Sequence, residues 1–357
     1  MTTAAVFGTG SWGTAYAMVL ADAGTTVRMW GRRQEMVDQI NSGCNQAYLP
    51  GVTLPGLITA AADPSEVAAG ADIVVLAVPS QTLRANLGEW GSALPTDAAI
   101  VSLMKGVELG TTKRMSEVIE EVGEVDPSRI VVVSGPNLAK EIAVKQPAAS
   151  VVACRDEAAA ERVAAACAAP YFRPYTGTDV VGTEIAGAVK NVIALAVGMA
   201  EGLGFGDNSK ASLITRGLAE TMRLGMAIGG EAPTFAGLAG VGDLLAACMS
   251  PLSRNHSFGV KLGQGLSVDE VVAQTSQTAE GVKSCTSILD LARKNGVDVP
   301  IIEQVHAMIV EGRTAEETEA VVAFAEWFGS ADTQAEWADE FDSFPCNTAA
   351  VADICRR

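Results

Sequence analysis

Ala4-Ala5-Val6-Phe7-Gly8-Thr9-Gly10-Ser11-Trp12-Gly13 runs four apolar residues straight into a glycine-spaced turn. The apolar-periodic segment 14–23 follows at once. Strand, tight turn and helix in that order form the unit that binds the pyrophosphate of a dinucleotide. In this reading Gly8 permits the turn and Gly10 lets the backbone approach the phosphates. Gly13 lets the helix pack on the strand, while Ser11 and Trp12 stand at the helix N-terminus that faces the anion. Glycine is common here, at 36 residues, so the motif counts only because of the strand before it and the helix after it.

The same rhythm continues outward. Short apolar runs at 26–30, 73–78, 100–103 and 130–134 alternate with Ala- and Glu-rich segments of helical period. Runs apolar on both faces are those of parallel strands covered by helices, so the first half is expected to be a doubly wound, Rossmann-type parallel sheet. A further run at 149–153 extends it. From about Gly182 only helical patterns remain, at 183–201, 211–228, 268–275 and 285–294, separated by the glycine-rich turns 202–206 and 237–242. An all-α second domain is expected. The boundaries read as 1–178 for the dinucleotide unit, 179–314 for the helical unit and 315–357 for an atypical acidic extension.

An acid some 20 residues past the motif usually binds the ribose hydroxyl of NAD. Here the second strand ends in Met29-Trp30-Gly31-Arg32-Arg33. Two guanidinium groups in that place suit a 2′-phosphate, which favours NADP(H), or use of both NADP(H) and NAD(H). Other strand ends carry Val78-Pro79-Ser80, Ser102-Leu103-Met104-Lys105-Gly106 and Ser134-Gly135-Pro136-Asn137. Ligands of open α/β sheets lie outside such ends. Lys105 either meets an anionic substrate there or snorkels to water.

In the helical half, Lys190 has Ala186, Gly187, Ile193 and Ala194 as its helical neighbours. Burial among such residues lowers a lysine pKa toward the range useful for proton transfer. A structural lysine paired with an acid such as Glu184 is the alternative. Ser250-Pro251-Leu252-Ser253-Arg254-Asn255 groups hydroxyl, guanidinium and amide, either for a phosphate or as a turn and helix cap. Asp243, after a glycine-rich turn, reads as a helix N-cap.

Bulk properties narrow the class. Hydrophobic residues make up 48% and charged ones 19%, as in a globular chain. A net charge of −17 speaks against nucleic acid or an anionic membrane as partner. Seven cysteines form no C-x-x-C pair and read as reduced thiols of a cytosolic protein. His256 and His306 are too few for a zinc site, so no metal is expected. The longest apolar stretch, 185–200, is broken by Lys190 and Asn191 and is too short to span a bilayer, so no stable membrane insertion is expected.

Taken together, the motifs resemble the NAD(P)-dependent sn-glycerol-3-phosphate dehydrogenase family of bacterial type, over about residues 4–312. They are Gly8-Thr9-Gly10-Ser11-Trp12-Gly13, Met104-Lys105-Gly106, Ser134-Gly135-Pro136-Asn137-Leu138-Ala139-Lys140-Glu141, Lys190-Asn191, Gly240-Val241-Gly242-Asp243-Leu244, Ser253-Arg254-Asn255 and Thr278-Ala279-Glu280-Gly281. The resemblance implies reversible reduction of dihydroxyacetone phosphate to sn-glycerol 3-phosphate, a phospholipid precursor, and a homodimer. It implies that Ser11, Trp12, Arg32, Arg33, Lys105, Ala139, Arg254, Thr278 and Glu280 contact the cofactor. Lys105, Gly135, Asn137, Lys190, Asp243, Ser253, Arg254 and Asn255 would contact the substrate, with Lys190 as general acid/base and Asp243 orienting it.

Two other functions remain open at this point: a two-domain NADP-dependent dehydrogenase of hydroxy acids, and a non-enzymatic NADPH-sensing regulator. After Arg313 the chain leaves the family pattern. That segment sets ten carboxylates against Arg356 and Arg357 and carries Trp327, Phe328, Trp337, Phe341 and Phe344. A lineage-specific tail and a frame-shifted end both fit it, and no catalytic role falls there.

Overall fold

The structure, a computed structural model, describes residues 2–274 and 279–312. The expectations for Thr278 and for 315–357 lie outside those residues. Ten strands form, in chain order β1 (Thr3–Phe7), β2 (Thr26–Trp30), β3 (Cys44–Asn45), β4 (Leu49–Thr53), β5 (Ile58–Ala61), β6 (Ile73–Leu76), β7 (Ala99–Ser102), β8 (Ile130–Ser134), β9 (Ala148–Cys154) and β10 (Phe172–Gly177). Eight make one sheet in the order β10-β9-β8-β7-β6-β1-β2-β5, and β3 and β4 pair as a separate hairpin. β5, β2, β1, β6, β7 and β8 are parallel. β9 extends the sheet as expected but runs antiparallel to β8, and β10 lies parallel to β9.

The sheet is apolar on both faces because helices cover both. One face buries Val6, Met18, Leu20, Val75 and Val101. The other buries Phe7, Trp30, Leu76 and Trp90, with the Phe7 and Trp90 rings 4.4 Å apart. Each such side chain contributes about 1.5–3 kcal/mol by leaving water. β1 has β2 on one side and β6 on the other, with Val6 opposite both Met29 and Val75. The chain therefore reverses its path across the sheet at β1, which opens a crevice at the carboxyl ends of β1 and β6.

From Val180 onward the described residues are helical. Asp179 caps the helix Val180–Gly202 by accepting a hydrogen bond from Gly182 N at 2.7 Å. That helix has 23 residues, longer than the apolar stretch expected, and is the one described helix long and apolar enough to cross a membrane. It is mostly buried, at the centre of a second hydrophobic core with Val189, Ile193, Leu224, Ile288 and Ile302. The glycine-rich segment 237–242, expected as a loop, winds into a wide helical turn, Leu238–Gly242, that leads into the helix Asp243–Met249.

A seam of four glycines joins the helix Val180–Gly202 to the helix Arg254–Gly263. A Cβ at Gly198 or Gly202 would stand 2.2 Å from the carbonyl oxygen of His256 or Val260. One at Gly259 or Gly263 would stand 2.2 Å from that of Leu195 or Met199. The separation of two helices is set by the side chains between them, and at these four positions there is none.

Candidate active site

The glycine-rich turn lies on the crevice between β1 and β6. Gly8 has φ +130, and a Cβ there would stand 2.5 Å from Ala77 O, just past β6. A Cβ at Gly13 would stand 2.5 Å from Gly8 O, so helix and turn touch through backbone. Gly10, the N-cap of the helix Ser11–Asp22, supplies no side-chain cap, and no acid stands in the first turn. Space in front of Gly10 is open. The Trp12 indole N–H is buried without a protein partner. Unspent donors, a positive helix end and a turn that tolerates no Cβ fit a dinucleotide pyrophosphate. Arg32 and Arg33 are exposed immediately beyond β2, as a phosphate-reading pair requires.

Lys105 follows β7 and reaches two oxygens, Asp243 Oδ2 at 2.5 Å and Gly135 O at 3.2 Å. Of the two strand-end readings the structure favours the one inside the site. Burial pushes the Lys105 pKa down to about 8, with Lys190 adding to the fall and Asp243 opposing it. Past β8, Asn137 donates to Ser150 Oγ at 3.0 Å, and its own carbonyl oxygen is buried with no protein partner. Ala139 opens the short helix Ala139–Ala143 and is half-buried.

Lys190 donates to Asp243 Oδ1, the carboxylate oxygen that Lys105 leaves. Asp243 is 1% exposed and is the first residue of its helix, not its cap. The cap reading is thus replaced by a shared counter-ion. Glu184 is not the partner of Lys190. Its carboxylate accepts from Arg114 Nη1 at 2.6 Å, Ser116 Oγ at 2.6 Å and Ser116 N at 2.7 Å. Positions six apart point to different faces of a helix, whereas 243 arrives through the fold.

Ser253 caps the helix Arg254–Gly263, accepting from His256 N at 3.4 Å. Asn255 spends both ends of its amide within the protein: it donates to Asn191 Oδ1 and accepts from Gly281 N, each at 3.0 Å. Asn191 in turn donates to Lys105 O at 3.5 Å. This chain of amides links four of the segments singled out in the sequence. Asn191 is the member that side-chain chemistry alone did not mark, although it neighbours Lys190. Glu280 opens the helix Glu280–Lys294. Burial pushes its carboxyl pKa up, and Arg254, Lys105 and Lys190 oppose that rise in that order. The three cations are therefore all within electrostatic reach of Glu280. Arg114 and Ser116 were not legible as site supports, because nothing in their local sequence points to Glu184.

The family model described as NAD-dependent glycerol-3-phosphate dehydrogenase N-terminus matches residues 3–160, and its C-terminus counterpart matches 179–320. The glycerol-3-phosphate dehydrogenase (NAD(P)+) of Streptomyces avermitilis is 63% identical over 311 residues, 87% of this chain and 93% of that protein. That of Thermobifida fusca is 61% identical over 326 residues, 91% of this chain and 96% of that one. The crystal structure of the Coxiella burnetii glycerol-3-phosphate dehydrogenase superposes with a TM-score of 0.86 at 34% identity, covering 91% of this chain and 99% of that one. With both halves matched in order and relatives this similar along nearly their whole length, the chain belongs to the NAD-dependent glycerol-3-phosphate dehydrogenase family.

Proposed function

We infer that the chain transfers hydride reversibly between NAD(P)H and dihydroxyacetone phosphate, giving sn-glycerol 3-phosphate. The observation that carries this reading is the cluster Lys105–Asp243–Lys190, two buried lysines on one buried carboxylate beyond the end of β7. In a chain of net charge −17 this cluster keeps an excess positive charge, and Arg254 adds to it. Such a place suits a small phosphorylated anion.

The glycine turn from Gly8 to Gly13 would hold the pyrophosphate, with Ser11 and Trp12 at the helix end and Arg32 and Arg33 at the ribose phosphate. When bound, the nicotinamide supplies a hydride to the substrate's carbonyl carbon or takes one back from the alcohol. Lys105 and Arg254 hold the phosphate and polarise the carbonyl. Lys190 gives a proton from Nζ to the carbonyl oxygen during reduction and recovers it during oxidation. Asp243 fixes both ammonium groups, so neither has to be ordered during the reaction. Ser253, Asn255, Gly135 and Asn137 shape the wall of the substrate site. Glu280 closes the nicotinamide side.

Residues 1–178 and 179–314 act as the dinucleotide and catalytic units, and the working state is a cytosolic homodimer. A hydroxy-acid substrate is not favoured, because a carboxylate needs fewer cations than this site offers. A sensor without turnover is not favoured either, because Lys105, Lys190 and Arg254 are all in place. The reading is tested by steady-state assays with dihydroxyacetone phosphate, run in parallel with NADH and NADPH and against a 2-keto acid. Cofactor oxidation with the phosphate substrate is expected, and its absence with both cofactors would overturn the reading.

A further inference from the structure

Asn45, 36 residues beyond Thr9, reaches back into the glycine-rich motif. It lies in the small hairpin of β3 and β4 and is completely buried. Its amide nitrogen donates to Thr9 O at 2.9 Å and to Thr14 Oγ1 at 2.8 Å. Thr14 Oγ1 also donates to Thr9 O, at 3.2 Å. The two side chains therefore converge on a single backbone carbonyl, the one between Gly8 and Gly10. The same hairpin supplies Tyr48 O as acceptor for Ser11 Oγ at 3.2 Å. A buried asparagine is costly unless its donors are used; here the amide nitrogen serves Thr9 O and Thr14 Oγ1, while Oδ1 is buried with no protein partner.

The consequence follows from peptide geometry. In a trans peptide the N–H points opposite to the C=O. Turning the Thr9 carbonyl inward to Asn45 and Thr14 directs the Gly10 N–H outward. A Cβ built on Gly10 would meet nothing within 4 Å, so the residue itself borders open space. The first turn of the helix Ser11–Asp22 begins at the same spot with no side-chain cap. The turn's glycines permit this orientation but do not select it, since glycine is the residue least able to fix a backbone. Something outside the motif has to select it, and only Asn45 and Thr14 among the described side chains hydrogen-bond to the Thr9 carbonyl.

The geometry points to Asn45 as a positioning residue for the dinucleotide, holding the Thr9–Gly10 peptide so that its N–H faces the pyrophosphate, with Thr14 as its relay. This deepens the cofactor reading above and rests on it. The hairpin of β3 and β4 is thereby a buttress of the phosphate site and not a surface decoration.

The test is equilibrium binding to the full-length chain, followed by quenching of tryptophan fluorescence, for which Trp12 is a local reporter. Two ligands separate the site: NADPH, and adenosine 2′-monophosphate, which keeps the 2′-phosphate but lacks the pyrophosphate. Asn45→Leu keeps the size and removes both donors. The expected result is a Kd for NADPH weakened about tenfold, the scale of one hydrogen bond, with the Kd for adenosine 2′-monophosphate unchanged. Thr14→Val, a smaller change to the same carbonyl, is expected to weaken NADPH alone and by less. It carries the test if Asn45→Leu does not fold. Unchanged NADPH binding in a folded variant, or equal weakening of both ligands, would overturn the proposal. Failure of the unaltered chain to bind NADPH would instead overturn the cofactor reading beneath it.

Discussion

Lys105 and Asp243 stand 138 residues apart in the chain and meet at 2.5 Å. The first hangs from the sheet and the second opens a helix of the other half. The contact fixes the sheet's strand ends against the helix that carries Lys190, because Lys190 holds the other oxygen of the same carboxylate.

Asp243→Asn removes the one negative charge of this cluster while keeping its shape. Lys190→Ala removes the proton donor. Both are expected to lower kcat for dihydroxyacetone phosphate by about 10²- to 10⁴-fold, the usual weight of a general acid or of its orientation. NADPH affinity, measured by fluorescence titration, is expected to stay unchanged in Lys190→Ala. A Lys190→Ala enzyme with normal turnover would remove that residue from the mechanism.

Lys105 has its pKa pushed down to about 8 by burial, so it loses its charge as pH rises through that value. The KM for dihydroxyacetone phosphate is accordingly expected to climb above pH 8. Lys105→Arg, which stays charged, is expected to flatten that rise. The stability effect has the opposite sign. The unfolded lysine keeps its proton to a higher pH than the folded one, so the burial cost is present below pH 8 and is relieved as pH rises from 8 toward the unfolded value of 10.5. A pH-independent KM would show that Lys105 does not hold the phosphate.

Arg32 and Arg33 are exposed beyond β2. If they read a 2′-phosphate, replacing both with alanine weakens NADPH by about tenfold or more and leaves NADH nearly as before, since each charge-assisted hydrogen bond is worth more than a neutral one. Parallel KM values for the two cofactors decide this. Equal losses would mean that the pair does not discriminate.

Glu184 and Arg114 form a buried ion pair at 2.6 Å, shared with Ser116. Glu184→Ala leaves the buried Arg114 guanidinium with Glu117, at 3.3 Å, as its remaining carboxylate and is expected to cost up to about 3–5 kcal/mol. A urea melt checks this through a lowered midpoint at unchanged slope. Glu184→Gln, which keeps an acceptor for Ser116 N, is expected to cost less.

Much of this was legible in the chain itself. Strands β1, β2, β7 and β8 stand within a residue of the runs marked for them, because a buried strand must be apolar on both faces. β10, with the sequence Phe-Arg-Pro-Tyr-Thr-Gly, escaped notice because an edge strand carries polar residues and even proline. The reversal of β9 was invisible, since an apolar run has no direction. In the site, Lys105, Lys190 and Arg254 stood out as cations in apolar or hydroxyl-rich surroundings. Their partners did not stand out from the residues alone: Asp243 reads as a cap until the resemblance sets it beside Lys190, and Glu184 is the alternative mate of Lys190. Sequence neighbourhood reports which residues share a turn of helix, while an ion pair across the fold is set by packing. Asn45 escaped for the same reason.

The glycine seam has a last consequence. Because the helices bearing Lys190 and Arg254 touch backbone to backbone at Gly198, Gly202, Gly259 and Gly263, neither can shift without carrying the other. Errors in the placement of the two cations are therefore correlated. A methyl group added at any of the four glycines forces the two helices apart, and so it acts on the spacing of the two charges although it touches neither.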